Sequence, residues 1–217
     1  EDPIEYDLDN INQAQINTKS GVTFASALRS ILRQDPDIIM VGEVRDEETV
    51  ELGIRAALTG HLVFSTVHTN DAASGFTRLL NWNVEPFLIA STVKGILAQR
   101  LVRRICKECK EPYEASAEEL NRLGIESDET IESFKGKGCL SCRNTGFKGR
   151  IGIYELLLMD AEISELVLSQ EPGYKIREQA KKNGMSTLLE DGLIKIQRGD
   201  TTISEVYETL GTTKIIL

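Results

Sequence analysis

Glu43 and His68 are two side chains suited to proton transfer, and each follows a short apolar segment. Residues 38–41 form an apolar run without polar alternation, which is typical of a strand covered on both faces in a parallel sheet. Residues 62–67 predict a second strand, apolar at first and hydroxyl-bearing afterwards. Because ligands of open α/β sheets bind at the carboxyl ends of the strands, we expect Glu43 and His68 to share one edge.

An amphipathic helix is predicted between the two strands, with Asp46 as its N-cap and Gly60 at its end. His61 precedes the second strand and His68 follows it, and seven extended residues separate the two by about 20 Å. We therefore expect His61 to order the turn between the helix and the strand, or to face a neighbouring subunit.

A carboxylate after a hydrophobic strand is typical of the second acidic motif of nucleotide hydrolases. In those enzymes the carboxylate orients water or a metal ion beside the terminal phosphate. Glu43 occupies this position, but a glutamate that only caps the following helix produces the same local pattern.

Several sequence blocks occur together and in a fixed order: residues 1–5, 32–37, 42–46, 59–61 and 66–70. With this combination the chain resembles, over essentially its whole length, the traffic ATPases of type II secretion and type IV pilus assembly. In that family the blocks are called the Asp box, the Walker B box and the His box. The resemblance implies an α/β fold, the C-terminal part of a RecA-like nucleotide-binding core.

The resemblance also implies roles for individual residues. Glu43 would be the catalytic glutamate that polarises the water attacking the γ-phosphate of ATP, and His68 would sense or stabilise that phosphate. Glu5, with Glu1 and Asp2 close by, would supply acidic groups near Mg²⁺ and the attacking water. For these three acidic residues, a solvated turn is the alternative interpretation.

Arg29 and Arg33 lie four residues apart on a helix that is predicted to begin after Thr23. Exposed arginines usually interact with solvent alone. In a ring-shaped ATPase, however, such a pair would reach nucleotide phosphate or the next subunit.

The sequence contains no Gly-rich loop that ends in Gly-Lys-Ser/Thr, the loop that holds the phosphates in such enzymes. The chain also begins at Glu1, without a methionine. We therefore expect the C-terminal portion of a longer ATPase, inactive by itself, because the loop's backbone N–H groups and lysine are needed to bind ATP.

The four cysteines form two Cys-x-x-Cys pairs: Cys106, Cys109, Cys139 and Cys142. Four thiolates in this arrangement fit a tetrahedral structural Zn²⁺ site. Disulfides and a redox or iron site are the alternatives. The segment resembles the zinc-bearing insertion of assembly and secretion motors, which pilus-retraction members usually lack. It therefore favours a motor for pilus extension or protein export over one for pilus retraction.

Basic residues surround the cysteine pairs: Arg103, Arg104, Lys107, Lys110, Lys135, Lys137, Arg143, Lys148 and Arg150. They would offset the negative charge of a zinc tetrathiolate, or form a basic docking face. Nucleic-acid binding is disfavoured, because the net charge is −9, the isoelectric point is about 4.9 and aromatic residues make up only 6%. No apolar run approaches the roughly 20 residues that span a bilayer, so we expect membrane association only through partners.

We expect four segments along the chain. Residues 1–105 form part of the ATPase core without its phosphate loop, residues 106–149 a zinc-binding tetracysteine subdomain, residues 150–159 a strand returning to the core sheet, and residues 160–217 a small helical C-terminal subdomain. After Pro86, apolar residues at helical spacing predict one long core helix: Ile89, Val93, Ile96, Leu97 and Leu101.

These expectations describe a homo-hexameric ATPase that uses ATP and Mg²⁺ to drive pilin or pseudopilin assembly. It would work on the cytoplasmic side of the inner membrane, with an inner-membrane platform protein and cytoplasmic assembly proteins as partners. A zinc-stabilised binding module without hydrolysis is the alternative, although Glu43 and His68 are both present. A zinc hydrolase is disfavoured because four cysteines leave no open coordination position.

Overall fold

The computed structural model describes residues 1–124 and 131–211 of the 217-residue chain. Parts of the expected zinc-binding and C-terminal segments, residues 125–130 and 212–217, lie outside the described residues. The helices in the described ranges are α1 (Phe24–Ile31), α2 (Glu47–Leu58), α3 (Ala72–Asn81), α4 (Pro86–Thr92), α5 (Ala117–Arg122), α6 (Ala161–Leu168), α7 (Gly173–Lys182), α8 (Leu188–Gln197) and α9 (Ile203–Leu210). Among these helices, none is both long and apolar enough to cross a bilayer.

The strands are β1 (Ile38–Val41), β2 (Leu62–Ser65), β3 (Gly95–Ile105), β4 (Lys110–Ala115), β5 (Ile131–Gly136) and β6 (Phe147–Leu158). They pair two by two within the described ranges: β1 with β2, β3 with β6, and β4 with β5. Helices and strands are thus mixed along the chain, as the expected α/β class requires.

The chain divides into two compact units. Unit 1 contains Glu1–Ile96 and Leu157–Ala180, and unit 2 contains Leu97–Leu156 and the described residues from Lys181 onward. The short helices expected after Asp160 are present; α6 and most of α7 belong to unit 1, whereas α8 and α9 belong to unit 2. The four-segment division expected from the sequence stays a prediction.

In unit 1, the strand–helix–strand prediction is confirmed. Strands β1 and β2 are parallel, with Ile38 opposite Leu62 and Val41 opposite Ser65. Helix α2 connects them, and the side chain of its N-cap Asp46 accepts a hydrogen bond from the Thr49 backbone N–H at 2.8 Å. The carboxyl ends of both strands therefore meet at the same edge of the sheet.

One face of the β1–β2 pair is buried and the other is exposed. Ile39 and Val41 are buried in a core cluster with Leu28 of α1 and Ala56 of α2. On the opposite face, the described residues leave four large apolar side chains about half exposed or more: Ile38, Met40, Leu62 and Phe64. The expectation that β1 is covered on both faces is therefore wrong for the described chain, because α1 and α2 contribute cover to one side alone.

The prediction of one long helix after Pro86 is also wrong. Helix α4 ends at Thr92, and strand β3 follows from Gly95. Three of the residues that suggested the helix, Val93, Leu97 and Leu101, are spaced by four. Residues four apart lie on one face of a helix, but they also lie on one face of a strand, so this spacing alone does not distinguish the two.

Unit 2 contains a buried carboxylate. Glu205 of α9 is 6% exposed, and it accepts hydrogen bonds from the backbone N–H of Arg103 at 2.9 Å and from the Arg103 guanidinium. Burial acts to raise the pKa of Glu205, but the bonds from Arg103 outweigh it and the net pKa is lowered. Thr201 adds a hydrogen bond to the Arg103 carbonyl at 2.9 Å, so α9 and its preceding turn are held to β3.

We predict that Glu205→Gln lowers the free energy of unfolding by about 1–2 kcal/mol at neutral pH, because it removes a charge-assisted hydrogen bond in a buried place. Since the folded pKa is lowered, the contribution of Glu205 is present above its ordinary value of 4.5 and is lost as pH falls through the folded pKa. Urea unfolding should therefore show a difference from wild type that shrinks in acid. Glu114→Gln, an exposed residue of β4 in the same unit, is the matched control, and an equal loss in both variants would contradict the prediction.

Candidate functional site

Glu43 and His68 contact each other beyond the carboxyl ends of β1 and β2. The Nε2–H of His68 donates to Oε2 of Glu43 at 3.2 Å, across 25 residues of sequence. Glu43 is largely covered, with a side chain that is 20% exposed, whereas the His68 side chain is 87% exposed. The predicted convergence of the two side chains is confirmed, whereas their catalytic roles stay predictions.

Hydrogen bonds continue beyond the strands and hold the two segments that carry these side chains. The hydroxyl of Ser65 donates to the Val41 carbonyl at 3.0 Å, and the hydroxyl of Thr66 donates to the Gly42 carbonyl at 2.7 Å. The backbone N–H of Val44 donates to the Thr66 carbonyl at 3.0 Å. The hydroxyl-bearing end of the second predicted strand thus binds the chain on either side of Glu43.

Arg45 is a site residue that the sequence analysis did not identify. Its guanidinium pairs with Oε1 of Glu43 and also with Oδ2 of Asp2, the latter at 3.2 Å. The hydrogen bond from Arg45 is the largest cause that lowers the pKa of Glu43, burial opposes it, and His68 adds to the lowering. Glu43 is therefore held as a carboxylate. The sequence signal for Arg45 was its position two residues after Glu43 in the same sequence block.

The three acidic residues expected beside Glu43 are placed differently. Asp2 joins the site through Arg45. Glu1 lies against Gly42, since a Cβ on that glycine would be 3.5 Å from the Glu1 Cα. Glu5 is exposed, and no hydrogen bond or ion pair joins it to Glu43 or His68 in the part of the chain that the structure describes.

The two arginines expected to reach phosphate or a neighbouring subunit both lie on the surface of unit 1. Arg29 pairs with Glu48 of α2, and both side chains are more than half exposed. Arg33 is exposed in the short 3₁₀ helix Leu32–Gln34 that follows α1. Their proposed contacts with nucleotide stay predictions.

His61 lies at the opposite end of β2 from His68. Its Nδ1 is 2.9 Å from the Ala56 carbonyl and 3.1 Å from the Thr59 hydroxyl. These contacts fix the turn between α2 and β2, as the first of the two expectations for His61 stated. Contact of His61 with a neighbouring subunit or with nucleotide stays a prediction.

The four cysteines of unit 2 converge. Their sulfur atoms lie within 4.8 Å of one another, with Sγ–Sγ distances of 3.8 Å for Cys106–Cys139, 3.8 Å for Cys109–Cys142 and 3.7 Å for Cys139–Cys142. A tetrahedral zinc with Zn–S bonds of about 2.3 Å requires sulfur atoms about 3.8 Å apart. The cluster therefore has the dimensions of a metal site. All four cysteines are unpaired, so the disulfide alternative is not the one that this structure adopts.

Hydrogen bonds around Cys142 favour its thiolate. The backbone N–H groups of Cys139 and Gly146 donate to its Sγ at 3.2 and 3.3 Å. Burial acts to raise the pKa of Cys142, but these two bonds, together with those from the Cys139 and Cys109 side chains, outweigh it and lower the pKa to about 6. Burial raises the pKa of the neighbouring Cys109 to about 12, so the thiolate is favoured at Cys142 in particular. The thiolate is the form that binds metals, so the backbone is arranged for ligation.

The comparison with protein families identifies this chain. A family model described as type II/IV secretion system protein matches residues 1–208. The chain belongs to this family.

The chain is 51% identical over 208 residues to the type IV pilus assembly ATPase PilB of Thermus thermophilus. It is 48% identical over 206 residues to the type II secretion system ATPase E of Vibrio cholerae. Both alignments cover 95% of this chain, but they cover only 23% and 41% of the respective relatives. The chain thus spans less than half the length of either protein.

Solved structures agree with the fold. The crystal structure of the pilus retraction motor PilT with bound ADP has a TM-score of 0.68 and 29% sequence identity to this chain, and the match covers 96% of this chain and 50% of PilT. The ATPase DotB of Legionella pneumophila has a TM-score of 0.63 and 22% identity, with coverage of 95% and 49%, and shows the fold alone. The α/β class is therefore confirmed.

We predict that Arg45→Gln raises the pKa of Glu43 toward its ordinary value of 4.5, because the main hydrogen bond to the carboxylate is lost. Carboxyl ¹³C chemical shifts followed through an acid titration by NMR measure this pKa. Arg55→Gln, which breaks the exposed Arg55–Glu51 pair on α2, is the control and should leave Glu43 unchanged. A Glu43 titration that is the same in Arg45→Gln and wild type would show that the pair does not form in solution.

Proposed function

We propose that this chain is the catalytic part of an ATPase that powers pseudopilin or pilin assembly in type II secretion or type IV pilus extension. The Glu43–His68 contact at the carboxyl-terminal edge of β1 and β2 is the observation that supports this proposal most directly. Open α/β sheets bind ligands at this edge. The names of the similar assembly ATPases support the biological role.

In the proposed reaction, Glu43 orients the attacking water and accepts a proton from it at a carboxylate oxygen. Arg45 keeps Glu43 ionised and therefore able to accept that proton. Bound MgATP supplies the phosphoanhydride bond that is hydrolysed to ADP and phosphate. His68 holds an N–H group at the same edge, where it would contact the terminal phosphate, and Asp2 and Glu1 place carboxylates nearby for the metal and its water.

The phosphate-binding loop would come from a preceding segment of a longer protein. Two observations support this part of the proposal: the sequence lacks the Gly-Lys-Ser/Thr loop, and the relatives are more than twice as long as their matched regions. The same segment would complete a RecA-like core. It would also cover the apolar face that the described residues leave exposed on β1 and β2.

The cysteine cluster would hold a structural Zn²⁺, bound by Cys106, Cys109, Cys139 and Cys142. The spacing of the sulfur atoms fits zinc and a single iron ion equally well. The resemblance of this segment to the zinc-bearing insertion of assembly and secretion motors favours zinc. Ser141 donates to Glu108 at 2.7 Å and accepts from Lys148 at 2.7 Å, so the two cysteine pairs are also bridged by polar side chains.

The assembled protein would be a homo-hexamer on the cytoplasmic side of the inner membrane. It would contact an inner-membrane platform protein and cytoplasmic assembly proteins, and it would reach the membrane through these partners. The names of the relatives as pilus assembly and secretion ATPases support this setting.

We predict that Glu43→Gln, made in the longer protein that includes the phosphate loop, keeps ATP binding but lowers turnover by at least about 100-fold, because the proton acceptor is lost. Magnesium-dependent phosphate release and nucleotide binding measure the two properties. Glu51→Gln, on the exposed side of α2, is the matched control and should be as active as wild type. Full turnover in Glu43→Gln would remove this residue from its role, and an inactive wild type would favour the binding-module alternative.

We also predict one zinc ion per chain in freshly purified, reduced protein. Cys139→Ser should lose the metal and destabilise residues 106–149, because removal of one ligand opens a closed tetrahedral site. Metal analysis and hydrogen exchange of this segment are the measurements. Leu140→Ala, which changes an almost fully exposed neighbour of Cys139, should retain the metal, and metal-free wild-type protein would refute the prediction.

A further inference from the structure

Helix α7 contacts the N-terminal turn of α3, a short distance along the chain from His68. The guanidinium of Arg177 pairs with Oδ2 of Asp71, across 106 residues of sequence. One helical turn earlier, Gly173 approaches Thr77 so closely that a Cβ would lie 3.3 Å from its hydroxyl oxygen. All of these residues belong to unit 1, so the contact lies within one compact unit.

Asp71 makes three interactions that together determine its position. Its Oδ1 accepts from the Ser74 backbone N–H at 2.7 Å and caps α3, and its Oδ2 accepts from Arg177. Its backbone carbonyl accepts from the hydroxyl of Thr69 at 3.1 Å. The path of the chain from His68 into α3 therefore depends on Asp71.

The Arg177–Asp71 pair differs from an ordinary surface ion pair. The Asp71 side chain is only 17% exposed and that of Arg177 is 40% exposed. The Nε of Arg177 is buried and has no hydrogen-bond partner within the described ranges, so packing and the bond to Asp71 orient the guanidinium. Exposed ion pairs contribute little to the free energy of folding, whereas a partly buried pair whose guanidinium is oriented by packing can hold a loop in place.

His68 depends on such support because its own side chain is 87% exposed. Toward the N-terminus, Thr66 is held by its hydrogen bonds to Gly42 and Val44. Toward the C-terminus, the Thr69 hydroxyl donates to the Asp71 carbonyl at 3.1 Å, and the Asp71 carboxylate is bound by Arg177. The short segment between these two points sets where the imidazole lies relative to Glu43.

We propose that Arg177 is a positioning residue that acts through Asp71 to hold His68 against Glu43. Its effect on catalysis rests on the proposed function, whereas its effect on His68 geometry does not. Helix α7 thereby contributes to the site from outside the sequence blocks that define it.

Imidazole NMR tests this proposal in the chain itself, without nucleotide. The chain contains two histidines, so ¹⁵N-histidine labelling reports on His68 and, as an internal reference, on His61 at the far end of β2. Arg177→Met should shift or broaden the His68 imidazole signals at fixed pH and leave those of His61 unchanged. Asp71→Asn should have the same effect, because Asn still caps a helix well but lacks the charge that pairs with Arg177.

Lys175→Gln is the matched control. Lys175 lies on the same helix and pairs with Glu171 at 2.8 Å, so its replacement removes a charge from α7 without contact to Asp71. Its His68 signals should match those of wild type. Altered His61 signals would show that Arg177→Met does not fold, and Asp71→Asn would then decide. Unchanged His68 signals in a folded Arg177→Met or Asp71→Asn variant overturn the proposal.

Activity gives a second, separable readout in the longer protein that includes the phosphate loop. Arg177→Met should lower kcat about 10- to 100-fold through misplacement of His68, with the KM for ATP changed little. If Arg177→Met changed kcat and KM no more than Lys175→Gln does, the positioning role would be contradicted. If wild type has no ATPase activity, the proposed function fails while the NMR result still decides the role of Arg177.

Discussion

The parallel pairing of β1 and β2 is the constraint on which the rest of the site depends. Its register, from Ile38 opposite Leu62 to Val41 opposite Ser65, brings two carboxyl ends to one edge. Glu43 and His68 then meet although 25 residues separate them in sequence. A shift of one residue in either strand would reverse its buried and exposed faces, so the packing of Ile39 and Val41 in the core also protects the position of the site.

Around this edge, the charged contacts orient side chains more than they stabilise the fold. Asp2, Arg45, Glu43 and His68 form a continuous series of polar contacts, and Arg45 is more than half exposed. Exposed ion pairs of this kind contribute little to the free energy of folding. Their main effect is to hold Glu43 ionised and oriented. The buried Arg103–Glu205 contact of unit 2 is different, since it attaches a helix to a strand.

The cysteine cluster satisfies a different requirement. Three of its sulfur–sulfur distances, 3.7–3.8 Å, match a tetrahedral site, and three of the four cysteines are buried. A site with four thiolate ligands is closed, so a metal bound there would hold the structure together and would leave no position for substrate. The Glu43–His68 contact and the cysteine cluster thus differ both in residue type and in their place in the sequence.

The sequence by itself determined the elements whose causes are local. Asp46 as N-cap, the apolar run of β1, the turn held by His61 and the two Cys-x-x-Cys pairs were all predicted, because each depends on residues within a few positions of one another. The shared edge of Glu43 and His68 was also predicted, because it follows from strand order in a parallel pair.

Only the tertiary structure decided the contacts between residues that are distant in sequence. Arg45 with Asp2 and Arg177 with Asp71 leave no periodic signal, since a charged residue on a surface has the same appearance in sequence whether or not a partner reaches it. Strand β3 was missed because a spacing of four fits both a helix and a strand, and pairing with β6 favours the strand. Local spacing restricts which secondary structures a segment can form, and the free energy of long-range contacts determines which of them it adopts.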